Sequence, residues 1–296
     1  MKAIRVKAHA KINLYLNILG KRPDGYHDVE NIMQSIDLAD ELTFVPADAG
    51  EIIIESVPKF IPDEENLIWK AAQLLRSEVK ASKKGAKINL IKKIPWEAGL
   101  AGGSTDAAAT LAALNSLWDL NLSLDHLQVL AGNLGADVPF CLRGGTMLAQ
   151  GRGNQLIPLQ ALPFCYVVIA KPPFGLATRA VYQQYDQSQK GGHLPGVTGL
   201  VKALGKGSLQ RICREMVNVF EDVVFPQYPE VQELKQKALA AGACGALLSG
   251  SGPSIFALAS TGPKAQEIAE ALEKICPTVI VSTAHPNGLD LKTLVV

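Results

Sequence analysis

Between Lys237 and Lys264 the chain runs for 26 residues without a charge. A stretch of that length can span a bilayer as a helix. Here Gly242, Gly245, Gly250, Gly252 and Gly262 interrupt it, together with Pro253 and Pro263. The segment Ser249-Gly250-Ser251-Gly252-Pro253 would end any helix. The run therefore reads as a buried turn between two apolar strands. A chain that places such a turn inside needs a core large enough to enclose it. Hydrophobic residues, 48% of the total, supply one, and a charged fraction of 19% argues against disorder.

At 296 residues, and with domains of about 150 residues as the rule, two domains are expected. Pro158 and Pro163 mark a boundary near residue 160, dividing the chain into 1–160 and 161–296. The start Met1-Lys2-Ala3-Ile4-Arg5 has no apolar core of a signal peptide. The five cysteines are scattered, with no CxxC, so they read as small core residues of a reducing, cytoplasmic compartment.

Periodicity gives a mixed α+β class. In the first strand Ile12, Leu14, Leu16 and Ile18 share one face, and Lys11, Asn13, Tyr15 and Asn17 the other. Strands are also expected at Glu41–Val45, Glu51–Ser56, Ala86–Ile91, Cys165–Lys171 and Thr278–Thr283. Helices are expected at Glu64–Val79, Thr105–Trp118, Ser123–Leu134, Ser208–Phe220, Pro229–Ala241 and Pro263–Ile275. Gln183–Gly196 reads as a long polar surface loop.

The segment Pro95-Trp96-Glu97-Ala98-Gly99-Leu100-Ala101-Gly102-Gly103-Ser104-Thr105-Asp106 carries the most chemistry. A glycine loop that opens a helix points several N–H groups at one spot, with the helix dipole behind them. Ala107-Ala108-Ala109 supplies that helix. Ser104 and Thr105 add hydroxyls, either of which suits a nucleotide-bound Mg²⁺. The residues alone leave two readings: a phosphate site, or a tight strand-to-helix turn with a Ser or Thr cap. No lysine follows the glycines, so this is not the P-loop G-x-x-x-x-G-K-S/T, and the dinucleotide fingerprint and hydrolase motifs are absent as well.

Several segments then combine in order. They are Ala10-Lys11-Ile12-Asn13-Leu14, Asp24-Gly25-Tyr26-His27, the glycine loop, Gly135-Ala136-Asp137-Val138-Pro139, and Gly250-Ser251-Gly252-Pro253-Ser254. Together they resemble the GHMP superfamily of small-molecule kinases, over nearly the whole chain. The Asp-Gly-Tyr-His segment narrows the resemblance to the branch acting on a cytidine-diphosphate-linked polyol. The resemblance implies a two-domain fold: a mixed α/β N-terminal domain, a smaller ferredoxin-like sheet-and-helix C-terminal domain, and the site between them. It implies ATP-dependent phosphorylation of the 2-hydroxyl of a methylerythritol moiety in the non-mevalonate route to isoprenoid precursors, with Mg²⁺.

It also implies roles for residues. Lys11 and Asp137 become the catalytic pair, although alone they read as a solvated charge and a helix cap. Pro95 through Thr105 become the ATP loop. Asn66 and Lys92 face the adenosine, Asn66 alone reading equally as a cap. Asn13, Tyr26, His27, Thr178 and Tyr182 become substrate contacts, with a core aromatic as the alternative for Tyr182. Two positions depart from the family pattern: His9 before Ala10-Lys11, and Ala101 where glycine is commoner. An alanine there calls for a negative φ.

Other readings remain beside this one: a GHMP kinase for a different alcohol, a nucleotide-binding regulator without catalysis, or an RNA-associated protein. A cytidine-stacking segment argues against the first, and retention of Lys11 and Asp137 against the second. A net charge of +1 with no basic cluster argues against the third. The expected partners are small molecules, not nucleic acid or membrane, with the chain a monomer or weak homodimer.

Overall fold

The computed structural model describes residues 2–48, 50–56, 63–80, 83–188 and 195–295. In chain order the first half gives β1 (Lys2–Lys21), β2 (His27–Ala47), β3 (Ile52–Ser56), α1 (Leu67–Glu78) and β4 (Gly85–Ile91). Next come α2 (Gly102–Leu117), α3 (Leu124–Gly132), α4 (Val138–Arg143), β5 (Thr146–Gln150) and β6 (Gln155–Pro158). The second half gives β7 (Tyr166–Lys171), α5 (Thr178–Gln187), α6 (Thr198–Gly205), α7 (Leu209–Glu215), β8 (Val217–Asn218) and α8 (Glu221–Gln227). It closes with α9 (Pro229–Ala240), β9 (Gly245–Leu248), β10 (Ile255–Ala259), α10 (Gly262–Glu273), β11 (Thr278–Thr283) and β12 (Leu289–Val295).

A long antiparallel pair, β1 and β2, is the spine of an eight-stranded sheet with the path β12-β1-β2-β4-β3. Helices α1 to α4 cover one face. The helix α2 is enclosed all round: Ala107, Ala108, Ala109 and Ala113 have no exposed surface, because only small side chains let neighbours approach that closely. The second sheet runs β11-β7-β10-β9, antiparallel throughout and backed by α9 and α10. This is the smaller sheet-and-helix unit that the resemblance implies. A third apolar cluster lies between the two sheets, joining Ile12, Leu14 and Tyr15 of β1 to Val167, Leu247 and Phe256.

The uncharged run folds as expected. It forms the end of α9, then β9, a turn at Ser249–Gly252, and β10, with Ser249 and Ser254 fully buried. Among the described residues no helix is long and apolar enough to cross a membrane. The cysteines are free, and burial pushes the Cys165 and Cys213 thiols up to about 12.

Several expectations are corrected. The alternative reading of Lys11 as a solvated charge does not hold: His9, Lys11, Asn13 and Tyr15 are all buried, whereas Arg5 and Lys7 nearer the start of β1 are exposed. Register shifts between His9 and Lys11 and between Asn13 and Tyr15 break the strict alternation, because each bulge turns the following side chains to another face. The helix expected at Ser208–Phe220 stops at Glu215, and Val217-Asn218 instead adds a short parallel strand to β1. Residues 183–187 of the expected surface loop belong to α5, while 189–194 lie outside the described residues. The last strand, β12, pairs along β1 in the large sheet.

Candidate active site

A cleft of about 870 Å³ opens beside β1. Its walls come from β1, the β1–β2 hairpin, the glycine loop, α5 and the β9–β10 turn.

Lys11 projects from β1 just after the first bulge. Its Nζ donates to Asn13 Oδ1 at 2.7 Å and to the Gly99 carbonyl at 2.8 Å. It lies 3.8 Å from Asp137 Oδ2. Burial pushes the ammonium's pKa down, and the Asp137 carboxylate opposes that. Asp137 precedes α4 with helical backbone angles, and its side chain makes no capping bond. The capping role open to it in the sequence is therefore not the one it takes, and its carboxylate lines the cleft. Asn13 continues the chain of bonds, donating from Nδ2 to Asn31 Oδ1 at 2.8 Å.

The glycine loop wraps over this pair. Gly99 has φ +71°, and a Cβ there would stand 2.0 Å from the Ser249 carbonyl oxygen, so only glycine fits. Ala101 is in the left-handed region at φ +60°, ψ 29°. The negative φ expected of an alanine is overruled, at a cost of about 1–2 kcal/mol. That turn lets α2 begin at Gly102 with its first turn lining the cleft. First-turn N–H groups lack helical partners and point outward, and the dipole adds partial positive charge. Ser104 lines the cleft; the Thr105 hydroxyl is enclosed beside the Cys141 thiol instead.

From the second half, the Ser249 hydroxyl donates to the Gly99 carbonyl at 3.0 Å, and Gly250 and Ser251 line the cleft. Asn218, buried on β8, holds this turn by donating to the Leu248 and Gly250 carbonyls, both at 2.8 Å.

The far end is aromatic. Tyr26 is exposed, with the Arg152 guanidinium 3.7 Å from its ring centroid. His27 is buried; its ring lies 5.1 Å from that of Tyr182, which also meets Phe220 edge-on at 4.7 Å. Tyr182 thus packs on neighbouring rings and also lines the cleft. Thr178 starts α5 and shares a hydrogen bond with Ser251 at 3.1 Å.

Lys92 lines the cleft beside Trp96, its Nζ 5.3 Å from that ring. The same Nζ is held by Asp40 Oδ2 at 2.5 Å and Asp106 Oδ2 at 2.7 Å. Burial acts to lower the Lys92 pKa, but the two carboxylates together raise it. Asp40 Oδ1 also accepts the Lys93 and Ile94 backbone N–H groups. Asp106 has no such help, one of its oxygens is unpartnered, and burial pushes it up to about 8. Asn66 lies outside the cleft lining and caps α1, accepting from the Ile68 N–H at 2.9 Å.

The structure thus brings Lys11, Asn13, Tyr26, His27, Lys92, Pro95 through Ser104, Asp137, Thr178 and Tyr182 to one cleft. It adds residues the sequence did not single out: Asn31, Lys21, Arg152 and Asp186 in the cleft wall, and Asp40, Asp106 and Asn218 behind it.

A second cluster lies behind the site. His9, Asp37 and His285 bring ligand atoms within 4.8 Å of one another. The two imidazoles stack 3.7 Å apart at an interplanar angle of 16°. Imidazole lone pairs lie in the ring plane, so stacked rings aim them side by side rather than at one ion. His9 instead bonds the Ile36 carbonyl and Asp290.

Comparison with known proteins bears on the class first. The family described as "GHMP kinases N terminal domain" matches residues 66–145, and "GHMP kinases C terminal" matches residues 200–278. A solved homoserine kinase from Cytophaga hutchinsonii shares the fold at a TM-score of 0.76 and 24% identity, covering 98% of this chain and 97% of its own. Fold and site define a GHMP kinase. Similarity narrows further. The 4-diphosphocytidyl-2-C-methyl-D-erythritol kinase of Bacillus pumilus (strain SAFR-032) is 46% identical over 96% of this chain and 98% of its own length. That of Bacillus subtilis (strain 168) is 43% identical over the same shares. A crystal structure of 4-(cytidine 5'-diphospho)-2C-methyl-D-erythritol kinase superposes at a TM-score of 0.80 with 35% identity, covering 95% and 98%. The chain belongs to the 4-diphosphocytidyl-2-C-methyl-D-erythritol kinase family of the GHMP kinases.

Proposed function

We propose that the protein transfers the γ-phosphoryl group of ATP to the 2-hydroxyl of 4-diphosphocytidyl-2-C-methyl-D-erythritol, in the non-mevalonate route to isoprenoid precursors. The observation that carries this reading is the buried Lys11 ammonium, shared between Asn13, the Gly99 carbonyl and Asp137 at the foot of a phosphate-type loop. The opposite end of the same cleft presents tyrosine and histidine rings suited to a pyrimidine.

In this reading the substrate hydroxyl lies against Asp137, which takes its proton as oxygen attacks phosphorus. Lys11, 3.8 Å away, sets a positive charge beside that carboxylate and the reacting oxygens. The N–H groups of Gly102, Gly103 and Ser104 hold the phosphates at the α2 terminus. The open Ser104 hydroxyl, a hard oxygen donor, suits a Mg²⁺ carried by the nucleotide, whereas the enclosed Thr105 does not. That ion would neutralise charge on the terminal phosphates. Lys92, fixed by two carboxylates next to Trp96, forms the adenosine side. Tyr26, His27 and Tyr182 hold the cytosine, with Asn13 and Thr178 toward the polyol. We assign the loop and the catalytic pair to a unit spanning 1–160 and the α5 wall to one spanning 161–296, with β8 and β12 crossing back to β1.

The test is ADP formation from ATP and Mg²⁺ with the cytidyl substrate, against mevalonate and homoserine as alternatives. Turnover on either alternative and none on the cytidyl compound overturns the assignment. Asp137→Asn is expected to lower kcat by about 10²–10⁴; a loss under about tenfold removes Asp137 as the base.

A further inference from the structure

At one end of the cleft His27, placed above beside the cytosine, is paired with a carboxylate that the reaction above does not use. His27 opens β2, and Asp186 is the penultimate residue of α5. Asp186 Oδ1 accepts from His27 Nε2 at 2.7 Å. Its other oxygen, Oδ2, accepts from Lys21 Nζ at 2.5 Å. The hydrogen bond from Lys21, and then that from His27, hold the Asp186 carboxyl below its ordinary pKa. An ionised carboxylate can only accept. Whenever the imidazole carries a single proton, that proton is therefore on Nε2, and Nδ1 is a bare acceptor. Among the described residues Nδ1 has no hydrogen-bond partner. Tyr182, four residues before Asp186, occupies the same face of α5 and packs against the imidazole. One helix face thus fixes both the plane and the tautomer of a buried histidine in the cleft wall.

We propose that Asp186 is a positioning residue that sets base specificity. It holds His27 as the Nε2–H tautomer, so that Nδ1 accepts a hydrogen bond from the exocyclic amino group of the ligand's base. The proposal rests on the reading that this base is cytosine. Uracil carries a carbonyl oxygen in place of that amino group, and its lone pair would face the lone pair of Nδ1.

Asp186→Asn separates this role from a plain tie between hairpin and helix. Lys21 still donates to the side-chain oxygen, which turns the amide NH₂ toward His27. Nε2 then becomes the acceptor and the proton moves to Nδ1. With ATP saturating, kcat/KM is measured for the cytidine-diphosphate substrate and for its uridine analogue. The wild type prefers the cytidyl compound. In Asp186→Asn that preference falls about 10- to 100-fold, because the base amino group now meets another donor. Lys21→Met keeps Asp186 as an acceptor and retains the wild-type preference. Equal losses on both substrates in Asp186→Asn, with the ratio unchanged, overturn the proposal. Nitrogen NMR of His27 in the substrate-free wild type is an independent check: a proton on Nε2 supports the proposal and one on Nδ1 overturns it. A wild type with no preference between the two compounds refutes the cytidine reading itself, and the base-specific role with it.

Discussion

Asp106→Asn tests how the charges beneath the glycine loop are arranged. Lys92 meets two buried carboxyl groups, one cation between two acids. Asp40 receives two backbone N–H groups as well as Lys92, so it is the better-partnered of the two. Asp106 has one unpartnered oxygen, and burial raises its pKa from 3.8 to about 8. An acid whose folded pKa lies above its unfolded one binds its proton more tightly in the folded chain. Its contribution to stability is complete below the unfolded value and is lost as pH rises through the window from 3.8 to about 8. One proton of difference is worth about 1.4 kcal/mol per pH unit, so from pH 6 to pH 8 the loss is about 2–3 kcal/mol. Asparagine mimics the protonated acid. At pH 7 Asp106→Asn is therefore expected to cost less than about 1 kcal/mol, and to flatten the wild-type decline above pH 6. Asp40→Asn strips the anion from Lys92 and two N–H donors, and is expected to cost about 3–5 kcal/mol. The assay is urea unfolding of each protein at intervals from pH 5 to 9. Parallel declines in the wild type and Asp106→Asn, or equal costs for the two variants at pH 7, would refute this charge assignment.

Other outcomes follow from the same structure. Asn218→Ala removes the bonds that hold the β9–β10 turn, and is expected to cost about 2–3 kcal/mol, read as a fall in the melting temperature. No change would mean that the turn holds itself. His9 has a pKa lowered by burial, with Asp290, His285 and Asp37 around it. The unfolded chain then binds the proton more readily, so stability falls as pH drops below about 6.5, and His9→Gln is expected to reduce that slope in thermal melts. An unchanged slope would acquit His9. Tyr26→Ala is expected to raise KM for the cytidyl substrate far more than KM for ATP in steady-state assays; equal rises would contradict its stacking role.

What was legible in the sequence was local. The glycine loop, the alanine-rich helix after it and the buried turn within the uncharged run follow from the conformations and sizes of adjacent residues, and all three are present. Lys11 shows the limit. Its alternating neighbours place it on the polar face of the strand, but a bulge and a second sheet bury it, and neither leaves a mark on the strand's own pattern. The clamp on Lys92 draws on β2, the end of β4 and α2, segments that meet only through the fold. Asp186 escaped notice because it falls in a polar stretch read as a loop, and α5 owes its packing to Tyr182 and Val181 rather than to a strong apolar stripe. Ala101 escaped for the opposite reason: its residue type argues against the conformation that the loop imposes.

The pairing of β12 with β1 ties residue 2 to residue 295. Because β12 follows every other described element, a ribosome delivers it after all of them, and until then Lys2–Ala8 of β1 have a bare row of N–H and C=O groups along one side. Lys11 and Asn13 lie farther along that same strand, beyond the residues that β12 covers, so the strand that carries them keeps an open edge at its start through most of synthesis. The nascent chain is then most exposed to mispairing at the strand that carries the proposed catalytic lysine, and removing Leu289–Val295 should harm solubility before it harms any contact in the cleft.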